Sequence, residues 1–310
     1  MNVEEIKQFL RNKKGYLKEG SKRLKRHLLQ KGFDVTLSDC IIALRDVRRE
    51  FRTHDNISVL NKSKVLIYDI ETSYNIVKSW RVGYNLNIQP NDILHERKII
   101  CISYRWFGED QIYNLSWDKN QCDKFMIEQF IEVLNEADLI VSHNGDKFDL
   151  PWIKTRALYH NLPMLVNYKQ FDTLKVAKRK FNFNSNRLDY ISEFLGFGNK
   201  IKTEMALWDN IILNKCPDAM KKMITYCDMD VELLSKVYDK LVYWENPMHH
   251  NGVDNNLPKY TSPISGSLNL KLVKSITTNR GTVKHVMRDL DTDRLFEMSD
   301  TNFKKYKLNK

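Results

Sequence analysis

Three short acidic motifs bring together residue types suited to chemistry. The first is Tyr68-Asp69-Ile70-Glu71-Thr72, at the end of an apolar run that reads as a strand. Strand side chains alternate, so Asp69 and Glu71 share a face and can reach one site. The second is His143-Asn144-Gly145-Asp146-Lys147-Phe148-Asp149, between a predicted strand end and a helix start. The third is Tyr226-Cys227-Asp228-Met229-Asp230, inside a long predicted helix. There the i, i+4 spacing puts Tyr226 and Asp230 on one face. Taken singly each motif is commonplace: an aspartate at a strand end is a turn or a helix cap. Their order, their intervals of about 80 residues and their matching element types set them apart.

The elements that must position these residues read as α/β. Strands are predicted at Lys64–Ile70, Ile99–Trp106, Ile112–Leu115 and Asp138–Ser142, with helices from about Cys122 to Asn135 (Phe125, Phe130, Ile131 and Leu134 apolar) and Leu150 to Tyr159. Helices then dominate, at Thr173–Lys180, Leu188–Leu195, Met205–Leu213 and Asp218–Tyr243. Strands first, then strands alternating with helices, imply a mixed sheet with helices on its faces. The loop Ser73–Arg97 is a candidate cover for the acidic site. Before this region, three basic helices are predicted: Val3–Leu10, Lys18–Gln30 ended by Gly32, and one capped by Thr36 or Ser38 running to about Arg52 with Ile41, Leu44, Val47 and Phe51 on one face. They form either a small helix-turn-helix-like module or a helical appendage. After Trp244 a Pro-, Gly- and Asn-rich linker leads to short strands at Lys271–Thr277, Thr282–Arg288 and Arg294–Met298. The expected domains are therefore 1–62, 63–245 and 246–310.

The 310 residues include 50 Lys+Arg and 39 Asp+Glu, a net charge of +11. Residues 1–62 hold 15 basic and 8 acidic residues, residues 63–250 hold 24 and 25, and residues 251–310 hold 11 and 6. A near-neutral centre between basic ends is the footprint of a polyanionic partner, and Lys22, Arg23, Lys25 and Arg26 of the second helix are candidate nucleic-acid contacts. No apolar run reaches the ~18–20 residues of a membrane span, and the first residues do not read as a signal peptide, so no membrane partner and a cytoplasmic location are expected. Cys40, Cys101, Cys122, Cys216 and Cys227 are scattered without a C-x-x-C pair, which excludes a cysteine-built zinc site and gives no sign of a disulfide scaffold.

The three motifs, as Asp69/Glu71, Asn144…Phe148-Asp149 and Tyr226…Asp230, resemble those of the DEDDy branch of the DnaQ-like 3′–5′ exonucleases. The phrases DIETS and HNGDKFDLPWI look most like the proofreading domains of family B DNA polymerases and phage-type stand-alone relatives, over about residues 64–244. The resemblance implies a ribonuclease-H-like mixed sheet flanked by helices, here with a small N-terminal helical module and a small C-terminal β module. It implies Asp69, Glu71, Asp149 and Asp230 as ligands of two Mg²⁺ (or Mn²⁺) ions, with Tyr226 orienting the attacking water. It implies release of nucleoside 5′-monophosphates from single-stranded DNA 3′ ends, in replication, proofreading or repair. It also implies contacts from Thr72 and Ser73 to the terminal nucleotide, while Asn144 either touches nucleic acid or braces its loop, and Phe148 and Trp152 either stack a base or join the core. A separate DNA polymerase or replication protein is the expected protein partner, in a bacterial or phage-infected cell. The alternatives are an exoribonuclease and a non-catalytic nucleic-acid-binding protein on this scaffold.

Other residues carry blander expectations. Asp146 is expected to face solvent, Asp228 to point away around its helix, Asp172 to cap a helix and His143 to be structural. The stretch Ser262-Pro263-Ile264-Ser265-Gly266-Ser267-Leu268-Asn269-Leu270 looks like a zinc-ribbon knuckle with serine where both cysteines belong. Serine hydroxyls are poor zinc ligands, so no zinc is expected and the module would be held by packing alone.

Overall fold

The computed structural model describes residues 1–13, 16, 20–44, 47, 63–165, 167–198 and 203–309. The chain divides into two compact units, Ser63–Met248 and a second that combines Met1–Lys62 with His249–Lys310.

The Ser63–Met248 unit is built on strands β1 (Val65–Thr72), β4 (Ile99–Trp106), β5 (Tyr113–Ser116), β6 (Leu139–Ser142) and β7 (Gln170–Asp172), with a short hairpin of β2 (Ile76–Val77) and β3 (Ile93–His95). The five-stranded order is β5-β4-β1-β6-β7. β1 pairs antiparallel to β4 and parallel to β6, and β6 pairs parallel to β7, so the sheet is mixed. Its helices are α4 (Lys124–Glu136), α5 (Asp149–Tyr159), α6 (Thr173–Lys180), α7 (Leu188–Phe194), α8 (Met205–Ile212) and α9 (Pro217–Leu241). This is a ribonuclease-H-like fold.

Alternation along β1 explains how both faces fill. Leu66, Tyr68 and Ile70 pack with α4 and α5, including Phe130, Leu134, Leu150 and Ile153. Ile67 turns to the other face and packs with Val176, Ile191, Val231 and Leu234 of α6, α7 and α9. A strand buried on both sides reads as a continuous apolar run, which is what Val65–Tyr68 shows. Pro217 at the first turn suits the start of α9, because the missing N–H would have no intrahelical partner there. Phe125, expected on the apolar stripe of α4, is two-thirds exposed: the buried face is Met126, Ile127, Phe130, Ile131 and Leu134. A buried Asp123–Arg156 ion pair ties the start of α4 to α5, and the same carboxylate accepts the Ile99 N–H at the start of β4.

In the second unit, α1 (Val3–Asn12), α2 (Ser21–Gln30) and α3 (37–44) share a core of Ile6, Leu10, Leu24, Leu28, Cys40, Ala43 and Leu44. Thr36 caps α3 by accepting the Asp39 N–H. Ile41 is exposed, so the buried stripe of α3 runs through Cys40, Ala43 and Leu44 instead of through Ile41, and Val47 beyond it is also buried. Lys18, Phe51 and Arg52 lie outside the described residues. The C-terminal part holds a turn of helix α10 (Asn251–Asp254), a meander of β8 (Leu270–Thr277), β9 (Val283–Asp289) and β10 (Leu295–Ser299), and a closing helix α11 (Asp300–Leu308). It is not held by packing alone. The buried Asp289 carboxylate accepts the hydroxyls of Ser262 (2.6 Å) and Ser265 (2.5 Å) on one oxygen, and the N–H groups of Asp291 and Thr292 on the other.

Candidate active site

β1 carries Asp69 and Glu71 on the face that α9 covers, opposite Ser103 and Cys101 of β4. α9 brings its own aspartate down onto this face. The Cys227 thiol lies 3.5 Å from the Asp69 carbonyl oxygen, and Asp230, one turn further, is 2% exposed. One carboxylate oxygen each from Asp69, Glu71 and Asp230 lies within 4.8 Å of the others. At an effective dielectric near 20, each ionised pair at that spacing repels by about 3 kcal/mol, a cost that a divalent cation would reverse. The donors are all hard oxygens, so the site fits Mg²⁺ or Mn²⁺. Burial, then Cys101 and the negative charge of Asp69 and Glu71, hold the Cys227 thiol well above its usual range, so it stays protonated beside the acids. Tyr226, half-buried, packs against the Ile100–Met223 cluster one helical turn before Asp230.

Asp149 stands outside this three-carboxylate group. It opens α5, is 2% exposed, and its carboxyl group meets the β1 backbone at Ile70, between Asp69 and Glu71. Burial pushes its pKa up to about 7; hydrogen bonds from the Asp149 and Ile70 backbone oppose this, and the Asp172 charge adds to it. The loop before it is tightly seated. Asn144 adopts a left-handed φ of 69°, which asparagine tolerates better than most residues. A Cβ on Gly145 would fall 1.7 Å from the Ser142 Oγ, so only glycine lets the loop pass under the end of β6.

The neighbouring residues sort clearly. The Asn144 backbone is held in its loop: its N–H donates to Asp172 and its carbonyl accepts from Lys147 and Phe148. Asp172 caps α6 through the N–H groups of Leu174 and Lys175. His143 is tied to Thr173 Oγ1 and the Asn186 carbonyl, and no metal-ligating group includes it among the described residues. Two expectations are corrected. Asp146 does not face solvent; its side chain is only one-fifth exposed and ion-paired to Lys175. Asp228 does not point away, because α9 lies flat on the sheet and Asp228 accepts from Ser103 (2.7 Å) and Asn114 of β4 and β5.

A cavity of about 450 Å³ opens beside Glu71, walled by Thr72, Ser73, Tyr74, Asn75, Arg97, Met205 and Trp208. Thr72 and Ser73 are buried in this wall, with their hydroxyls accepting from the Arg97 guanidinium (2.7 Å) and the Lys98 N–H (2.9 Å). Arg97 also donates to the Ser73 carbonyl and sits over the rings of Trp152 (4.8 Å) and Phe148 (5.9 Å). Both aromatics thus pack against the core while their faces hold a cation. The Trp208 indole N–H donates to the Thr72 carbonyl. Arg97 and Trp208 were not among the sequence candidates. A similar hollow of about 480 Å³, walled by Arg105, Phe107 and the α9 residues Glu232, Lys236, Asp239 and Lys240, has charges of both signs. Lys22, Arg23 and Arg26 are exposed and Lys25 partly so, on the outer face of α2 in the other unit.

Residues 93–242 match the family model of the RNase H superfamily. The chain is 27% identical over 146 residues to a DNA polymerase of Methanocaldococcus jannaschii, covering 44% of this chain and 8% of that protein. It is 30% identical over 119 residues to the DNA polymerase epsilon catalytic chain of Dictyostelium discoideum, covering 33% and 5%. Among solved structures, the family B DNA polymerase of Pyrobaculum calidifontis aligns at 16% identity with a TM-score of 0.46, covering 59% of this chain and 25% of that one. The chain spans a tenth or less of the curated relatives it matches. The family match and the polymerase relatives support a nuclease-type function. Among the described residues no helix is long and apolar enough to cross a membrane.

Proposed function

We propose that this ribonuclease-H-superfamily domain, which resembles the exonuclease regions of family B DNA polymerases, is a divalent-metal-dependent 3′–5′ exonuclease acting on single-stranded DNA ends. The observation that carries the reading is the convergence of Asp69, Glu71 and Asp230 within 4.8 Å, beside an open cavity. Mg²⁺ or Mn²⁺ would be held by these three, with Asp149 as the fourth carboxylate, and a bound pair would activate water and stabilise the leaving oxygen. The protein's own groups do the rest. Tyr226 orients the water by hydrogen bonding, since a phenol with a pKa of ~10 is a poor base near neutrality. The wall formed by Thr72, Ser73 and Arg97 seats the terminal nucleotide next to Glu71. The basic residues of the 1–62 and 246–310 modules, Lys22, Arg23, Lys25 and Arg26 among them, add sequence-independent hold on the polyanion.

The test is digestion of 5′-labelled single-stranded DNA, duplex DNA and RNA with Mg²⁺ or Mn²⁺, beside an Asp69→Ala/Glu71→Ala control. A ladder shortening from the 3′ end, absent in the control, is the expected result. No cleavage of any polymer with either metal, while binding persists, would overturn the reading in favour of a binding protein.

A further inference from the structure

The loop between β2 and β3, residues 78–89, has the sequence Lys-Ser-Trp-Arg-Val-Gly-Tyr-Asn-Leu-Asn-Ile-Gln. Its side chains are displayed outward: Trp80, Val82 and Tyr84 are 104%, 99% and 101% exposed, and Leu86 and Ile88 about two-fifths. A scattered exposed apolar residue is ordinary, but fully exposed Trp, Val and Tyr on one short loop form a patch with nothing of their own to bury. The loop carries two cations, Lys78 and Arg81, and no carboxylate.

The base of this loop is fixed at the site. Lys78 N–H donates to the Asp92 carbonyl (2.9 Å), Arg97 N–H to Asn75 Oδ1 (2.9 Å), and the Tyr74 hydroxyl to Asp209 (2.7 Å). Tyr74, Asn75 and Arg97 are themselves wall residues of the cavity beside Glu71. Trp80 is five residues beyond Asn75, so its Cα lies at most about 18 Å from that wall.

Flat aromatic faces interleaved with cations and amides, free of acidic groups, are what a single nucleic-acid strand needs: stacking for unpaired bases and positive charge for the backbone. We propose that residues 78–89 bind single-stranded nucleic acid, with Trp80 and Tyr84 stacking on bases a few nucleotides before the end that enters the carboxylate site. The proposal rests on the exonuclease reading for its geometry, yet its binding step can be measured apart from cleavage.

The experiment compares the full chain with Trp80→Ala/Tyr84→Ala and with Trp80→Phe/Tyr84→Phe. The probes are a labelled oligothymidylate, bound with chelator present and cleaved with Mg²⁺, and the p-nitrophenyl ester of thymidine 5′-monophosphate. The alanine pair should weaken oligonucleotide binding and raise its KM by roughly tenfold or more. Hydrolysis of the small ester should be unchanged, and the phenylalanine pair should keep most of the oligonucleotide affinity. Equal binding and KM in the wild type and the alanine pair would overturn the proposal, including where the loop proves to hold a protein. If the wild type cleaves neither probe, the exonuclease reading fails, and the binding arm with chelator still decides the loop.

Discussion

Replacing Asp149 by asparagine removes a charge that the fold accommodates poorly. Its carboxyl is 2% exposed, and burial pushes its pKa up to about 7 against ~3.9 for a free aspartate. For an acid raised in the folded state, the native protein keeps a proton that the unfolded chain has lost. Stability of the metal-free protein therefore falls as pH rises from about 4 to about 7, then levels. Between pH 5 and pH 8 the loss is of order 2–3 kcal/mol, and Asp149→Asn escapes it. Urea unfolding with chelator present, at both pH values, measures the difference. The variant should gain about 2–3 kcal/mol on the wild type across that interval while cleaving nothing. Parallel pH curves would refute the burial argument. Adding Mg²⁺ at pH 8 asks the second question, because a cation that binds only the native state stabilises it by mass action. A smaller gain for the variant would make Asp149 a ligand; equal gains would leave the set at Asp69, Glu71 and Asp230.

Three further outcomes are expected. Asp123→Ala leaves the buried Arg156 guanidinium uncompensated and should cost roughly 3–5 kcal/mol by urea unfolding. Burial raises the Asp123 pKa, but hydrogen bonds from Arg156 and His160 outweigh it and leave it lowered. Its contribution is thus complete above the ordinary carboxylate range and lost as pH falls below ~3.9, an acid-unfolding limb followed by circular dichroism that the variant should lack. Asp289→Ala strips the acceptor from two serine hydroxyls and two N–H groups, which should cost about 2–4 kcal/mol locally and speed hydrogen exchange around 262–270 and 289–292. Arg97→Ala releases Thr72, Ser73 and the Trp152 face together, so the oligonucleotide KM should rise several-fold; Arg97→Lys should not rescue it, because an ammonium cannot span the same acceptors while stacking.

The parts of the site legible in the sequence are those fixed by a local period. Asp69 and Glu71 share a face because a strand repeats every two residues, and Tyr226 and Asp230 because a helix nearly repeats every four. What each acid meets is set by tertiary packing, and there the sequence is silent. Asp146 and Asp149 sit three residues apart, yet one is ion-paired to Lys175 and the other is buried against the β1 backbone at Ile70. β7 leaves no period in the sequence because it is three residues long and its last one, Asp172, also caps α6. Helix α11 carries a weak apolar stripe because its DTNFKKYKL is mostly polar, with Phe303 and Tyr306 alone buried. Apolar stripes gave the right helices but missed which residue points inward, as Phe125 and Ile41 show. Arg97 gave no signal at all: its partners Thr72, Ser73 and Trp152 lie 24 to 55 residues away along the chain. Residues 78–89 are the converse case: Trp80, Val82, Tyr84, Leu86 and Ile88 alternate with polar residues as in a half-buried strand, yet all five are exposed, so here the period does not mark an inward face. Such a segment can turn every aromatic outward, and its function then depends on what it meets in solution.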